Sequence, residues 1–205
     1  MLTMMPMAAC DGSNADPILP EQPGQPGNSD GGDEDDSTNP TNPIPGGNGR
    51  YLVLYCSRTG STERMAQQIQ QTLDCDILEV EPQTPYESDY NGMLNRAQEE
   101  LAAIRQGNYP AIKTSVEDFG NYDIVFVGYP IWYGSMATPM QTFLHNHASK
   151  LAGKRIALFA SSGSSGISAS VDEARTLCSG ATFTETLLLT SSTLSQMGNL
   201  SLIHI

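Results

Sequence analysis

One junction constrains this chain more than any other feature. Tyr51-Leu52-Val53-Leu54-Tyr55 is an apolar run of β-formers, the right length for a buried strand. It gives way to Ser57-Arg58-Thr59-Gly60-Ser61-Thr62, after which Met65, Ala66, Ile69 and Leu73 recur at helical spacing among Gln67, Gln68, Gln70 and Gln71. A strand that ends in a hydroxyl-rich loop, with a helix starting at once, is suited to an anion. The first-turn N–H groups lack intrahelical partners, and the helix dipole places partial positive charge there. Gly60 lets the backbone approach a ligand, and Ser57, Thr59, Ser61 and Thr62 supply hydroxyls. The expected ligand is a phosphate.

Two common phosphate motifs are missing here. No Gly-x-x-x-x-Gly-Lys-[Ser/Thr] occurs, and no Gly-x-Gly-x-x-Gly follows the strand. The stretch reads [Ser/Thr]-x-Thr-Gly-x-Thr and resembles the FMN-phosphate loop of the flavodoxin family. That resemblance implies that Ser57, Thr59, Gly60, Ser61 and Thr62 grip the phosphate through hydroxyls and backbone N–H groups. The family's loop usually forms no salt bridge, so Arg58 belongs to the loop without having to touch the phosphate. An ordinary Ser/Thr-rich helix cap is the plainer alternative.

The rest of the domain alternates strands with helices. Asp76-Ile77-Leu78-Glu79-Val80 reads as a second strand ended by Pro82, and Leu94, Ala97, Leu101 and Ile104 mark an amphipathic helix stopped by Gly107. Tyr122 to Gly128 reads as an apolar third strand, followed by a helix after Pro139 carrying Met140, Phe143 and Leu144. Arg155 to Ala160 is the fourth strand, Ile167, Val171, Ala174 and Cys178 line a helix, and Thr182 to Leu189 is the fifth strand. Such alternation predicts an α/β fold with a parallel sheet between helix layers. The resemblance makes it a flavodoxin-like three-layer sandwich with a five-stranded parallel sheet in the order 2-1-3-4-5. Its functional loops then follow strands one, three and four at the carboxyl edge.

The loop after strand three, Tyr129-Pro130-Ile131-Trp132-Tyr133-Gly134-Ser135, holds the only Trp in the chain. An aromatic placed there suits stacking on a planar ring. The Pro-Ile-Trp-Tyr-Gly run is similar to a flavodoxin branch common in gut anaerobes and Firmicutes. The resemblance assigns Pro130, Ile131, Trp132, Tyr133 and Gly134 to the cofactor, with Trp132 stacked on the isoalloxazine. It likewise assigns Ser161, Ser162, Gly163, Ser164 and Gly166, after strand four, to the pyrimidine edge. Many electron-carrier flavodoxins present a Tyr in this second loop, whereas Ser161 to Gly166 contains no aromatic. One ring face is therefore expected to remain open to a second planar molecule.

Other chemistries find less support. Gly163 and Gly166 are one residue too close for Gly-x-Ser-x-Gly, so a serine hydrolase is not indicated. His145 and His147, two apart on a helix, point to different faces and are expected at the surface rather than as paired metal ligands. Cys56, Cys75 and Cys178 form no Cys-x-x-Cys, and Cys56 is expected to fill the strand's end as a small apolar group. No metal site and no catalytic side chain are expected.

The ends differ in composition from the domain. Residues 11–49, crowded with Pro, Gly, Asn and Asp, read as a disordered acidic tether. Residues 1–49 carry eight acids and no Lys or Arg, and the remainder carries fifteen acids against ten bases, so no basic nucleic-acid footprint exists. Met7-Ala8-Ala9-Cys10 resembles a bacterial lipobox, which implies a partial lipoprotein signal over 1–10 and acylation at Cys10. The expected location is the bacterial cell envelope, with membrane attachment only through that lipid, and the cytoplasm as the alternative. Leu200-Ser201-Leu202-Ile203-His204-Ile205 resembles a translated sequencing adapter, so the domain is expected over 50–199 with its last helix missing.

The resulting expectation is an FMN-binding, flavodoxin-like protein that transfers electrons through a non-covalently held flavin. Its partner would be a redox protein or a small planar electron acceptor. One alternative is an NAD(P)H-dependent FMN quinone or flavin reductase on the same fold. The other is an envelope binding module without redox activity.

Overall fold

The computed structural model describes residues 50–190. Their elements run β1 (Tyr51–Tyr55), α1 (Ser61–Leu73), β2 (Asp76–Glu79), α2 (Tyr90–Ile104), β3 (Ile124–Trp132), β4 (Ser135–Met136), α3 (Thr138–His147), β5 (Arg155–Ser162), α4 (Ser168–Leu177) and β6 (Thr182–Thr190). The main sheet has the order β2-β1-β3-β5-β6 with every neighbour parallel. Two-residue β4 lies off this path, antiparallel to β3. Leaving β4 aside, this is the expected order 2-1-3-4-5.

The sheet separates two apolar cores. On one face Met65, Ala66 and Ile69 of α1 pack on Val53, Phe126, Ala157 and Phe159. Their spacing follows one helical stripe, while Gln67 and Gln71 point to solvent. On the opposite face Met140, Phe143 and Leu144 of α3, with Val171 and Ala174 of α4, cover Leu52, Leu54, Val125, Val127 and Leu158. β3 and β5 have almost no exposed residue because both of their faces are covered, which explains their unbroken apolar character. At Gly128 an added Cβ would lie 2.1 Å from the Phe159 ring on the neighbouring strand. The absence of a side chain there makes room for that aromatic.

Three local expectations are corrected. β3 runs on through Trp132, so most of the supposed loop after strand three is strand, paired with β4 through Ile131↔Met136 and Trp132↔Ser135. β5 likewise includes Ser161 and Ser162. His147 is a core residue rather than a surface one: its ring stacks on Phe143 at 4.1 Å and meets Phe119 edge-on. Nδ1–H donates to the Phe143 carbonyl at 2.8 Å, and Nε2 accepts from the Val116 N–H at 3.2 Å. Ser115 Oγ lies 3.3 Å from the same Nε2, so both ring nitrogens have partners, which is what makes burial tolerable. His145 is exposed and stacks on Tyr109. Cys10, the tether over 11–49, the last helix and the adapter-like tail lie outside the described residues.

Candidate functional site

The carboxyl ends of β1, β3 and β5 open into one cavity of about 390 Å³. From the first loop Ser57, Arg58, Thr59, Ser61 and Thr62 line it; from β3 and its turn, Pro130, Ile131, Trp132 and Tyr133; from the end of β5, Ser161, Ser162 and Gly163. Gly60, Gly134, Ser164 and Gly166 of the expected set are not on its wall. Three residues of α2 outside the expected set, Tyr90, Met93 and Leu94, also lie on the wall. Met93 and Leu94 belong to the apolar stripe of a helix, and nothing local distinguishes a core contact from a site contact.

At one end the cavity meets the uncapped start of α1. Gly60 is the N-cap residue with φ 77°, a left-handed conformation that costs glycine little, and no side chain caps the helix. The ladder begins with Arg64 N–H donating to the Gly60 carbonyl at 3.0 Å, so the N–H groups before it have no partner within the helix. Thr62 Oγ1 lies 2.8 Å from Ser161 Oγ, which ties the first loop to β5. Arg58 turns its guanidinium towards the carbonyls of Glu87, Ser88 and Asp89 at 3.4, 3.0 and 3.3 Å and lies over the Tyr90 ring. It therefore anchors the segment that leads into α2.

At the other end Trp132 and Tyr133 stand on a two-residue hairpin turn. Tyr133 (φ 52°) and Gly134 (φ 80°) both have positive φ, as a type I′ connection requires. Met136 beyond the turn is held from two sides: its N–H donates to Glu173 Oε2 at 2.8 Å, and its carbonyl accepts from Gln141 Nε2 at 2.6 Å. Ala137 N–H donates to the Pro130 carbonyl at 3.1 Å. These bonds fix the hairpin to α3 and α4. Tyr133 is 54% exposed and its hydroxyl reaches the Leu94 carbonyl at 3.4 Å. Tyr90, 63% exposed, stands at the same mouth.

The electrostatics favour an anion held by neutral donors. Among the described residues no carboxylate lines the cavity and Arg58 is the single base, bonded to backbone carbonyls. Burial pushes the Cys56 thiol well above its ordinary range, so this cysteine is packing rather than nucleophile. Burial also drives the Tyr129 hydroxyl up to about 12; it lies 3.1 Å from Ser170 Oγ and remains protonated. Among the described residues no three His, Cys, Asp or Glu side chains converge as metal ligands. Free N–H groups and hydroxyls at one end and an indole at the other fit an elongated ligand with a phosphate head and a planar ring.

The flavodoxin family's sequence profile matches residues 50–200. No curated protein matches the chain. Among solved structures, a candidate flavoprotein from Bacteroides eggerthii DSM 20697 is 32% identical, with a TM-score of 0.61 over 72% of this chain and 94% of that one. Another, from Bacteroides uniformis ATCC 8492, is 28% identical with a TM-score of 0.61 over 76% and 99%. A flavoprotein of Lactobacillus acidophilus NCFM, solved in complex with FMN, is 25% identical with a TM-score of 0.59 over 73% and 99%. By the extent of the matched profile and by its sheet order, the chain belongs to the flavodoxin family.

Proposed function

We propose that this protein binds FMN non-covalently and transfers electrons through it. The observation that carries this reading is the continuous cavity from the uncapped N-terminus of α1 to the Trp132 hairpin. The chain's resemblance to a protein solved with FMN supports it. Ser57, Thr59, Ser61 and Thr62, with the free N–H groups of the first turn, would hold the phosphate. Trp132 and Tyr133 would bound the ring, and the backbone at Ser162 and Gly163 would meet its polar edge. When bound, FMN supplies one- and two-electron redox chemistry, and the protein supplies orientation and electrostatic field. The phosphate would be neutralised by dipoles rather than by a base, which keeps the cationic Arg58 available for structure.

The test is anaerobic. FMN-loaded protein, reduced photochemically and mixed with oxidised cytochrome c, is expected to regain its oxidised flavin absorbance as the haem is reduced. A flavin that stays reduced would contradict the carrier reading. A reductase acting on a small planar acceptor is the second reading, favoured by the aromatic-free stretch from Ser161 to Gly166 and by the open mouth between Tyr90 and Tyr133. Stopped-flow mixing with NADPH separates the two: prompt bleaching of the flavin supports the reductase, and its absence supports the carrier.

A further inference from the structure

A polar network centred on Glu100 lies behind Trp132. Tyr86, in the connection between β2 and α2, meets the Trp132 ring edge-on at 5.1 Å and 78°. Its own ring lies under the Arg96 guanidinium at 4.2 Å. Its hydroxyl donates to Glu100 Oε2, which also accepts from the Thr138 hydroxyl at the start of α3. Arg96 Nε donates to Glu100 Oε1 at 2.8 Å, one turn along α2, and its two terminal nitrogens donate to the Pro85 and Thr84 carbonyls at 2.8 and 2.9 Å. Each nitrogen of the Arg96 guanidinium has an acceptor, and Glu100 is the hub.

This arrangement is more than a surface ion pair. The Arg96 and Glu100 side chains are only 21% and 13% exposed, so their charges interact with less screening than at an open surface. Burial, and then the hydrogen bond to Glu100, push the Tyr86 hydroxyl far above its ordinary range, which keeps it a donor. The network joins three separate pieces of chain: α2, the connection before it, and the first residue of α3. Trp132 ends β3 and packs on the core below it, but its indole still turns about two soft torsions. The edge-on contact with Tyr86 restricts that turn from the side.

We propose that Glu100 is a positioning residue that, acting through Tyr86, fixes the plane of the Trp132 ring. Where Trp132 is the stacking surface of the FMN site, as the proposed function has it, this network sets flavin affinity from outside the cavity. Neither Tyr86 nor Glu100 lines the larger cavity. Tyr86 and Trp132 share instead the wall of a second cavity of about 280 Å³, on which Cys56 and Pro139 also lie.

The test uses the fact that Trp132 is the only Trp in the chain, so tryptophan emission reports this ring alone. In the full-length protein without FMN, Glu100→Gln and Tyr86→Phe keep side-chain volume while removing the hub charge or the hydroxyl. Both are expected to red-shift the emission, lower its anisotropy and raise acrylamide quenching. FMN is expected to bind roughly threefold to tenfold more weakly to each, the scale of one aromatic contact. Variants that melt earlier but keep wild-type emission, anisotropy and quenching would overturn the proposal, because the network would then be structural only. If the emission changes while wild-type protein takes up no FMN, the positioning role stands and the flavin reading falls. A variant that fails to fold is replaced by Thr138→Val, which removes one bond to the same carboxylate and must move the emission in the same direction.

Discussion

Trp132 lines one end of the cavity and Gly60 precedes the helix that meets the other, and each can be altered without touching the other. Trp132→Ala removes a large stacking surface and is expected to weaken FMN binding roughly tenfold to a hundredfold, with Trp132→Phe recovering most of the loss. Quenching of flavin fluorescence measures both. At Gly60 an added Cβ would find its nearest neighbour, Glu63 Oε2, at an ordinary 3.8 Å, so the cost of Gly60→Ala is conformational. A left-handed alanine costs roughly 1–2 kcal/mol, and a thermal melt should show that loss together with weaker FMN binding. His147 gives a pH signature. Burial is the main cause holding its pKa below the ordinary value, and the Val116 N–H requires an unprotonated Nε2. Below about pH 6.5 the unfolded chain takes up the proton first, so stability falls as pH drops from there towards the lower folded value. Glu79, pushed up by burial, titrates with the opposite sign, so the comparison must be with His147→Gln. Wild type is expected to lose more melting temperature between pH 7.5 and 5.5 than that variant.

At the scale of elements, the strand–loop–helix junction was legible because its signal is local: apolar run, hydroxyls, glycine, amphipathic stripe. Alternation with helices made the parallel sheet legible, whereas the order of its strands came from the family resemblance carried by that junction. The reach of β3 was less legible. Pro130 reads locally as a strand breaker, yet β3 passes through it because its edge there pairs with β5 and the following residues fold back as β4. The contributions of Tyr90, Met93 and Leu94, and the burial of His147, depend on which helix packs where. No spacing in the sequence encodes that. Gly128 belongs to this scale as well, since its partner Phe159 lies on another strand. Gly128→Ala would force the Phe159 ring aside in a core packed from both faces, at a cost of roughly 1–3 kcal/mol or more. The double variant with Phe159→Leu should recover part of the lost melting temperature, and no recovery would contradict the packing argument.

For the whole molecule, the sheet supplies a rigid edge and three short segments supply chemistry, an arrangement in which binding energy passes directly into stability. A ligand that binds only the folded state adds about 2.7 kcal/mol at a hundred times its dissociation constant. Added FMN should therefore raise the melting temperature, while riboflavin, which lacks the phosphate, should raise it much less. The central claim is that the cavity between α1 and Trp132 is the flavin site, and the most direct measurement is a titration of the full-length protein with FMN, following flavin fluorescence and Trp132 emission together. The account predicts that both signals quench to a single endpoint at one FMN per chain, with micromolar or tighter affinity, and that Trp132→Ala displaces the curve to higher concentration. Flavin fluorescence that stays unquenched at micromolar protein, or a quench indifferent to Trp132→Ala, would contradict it.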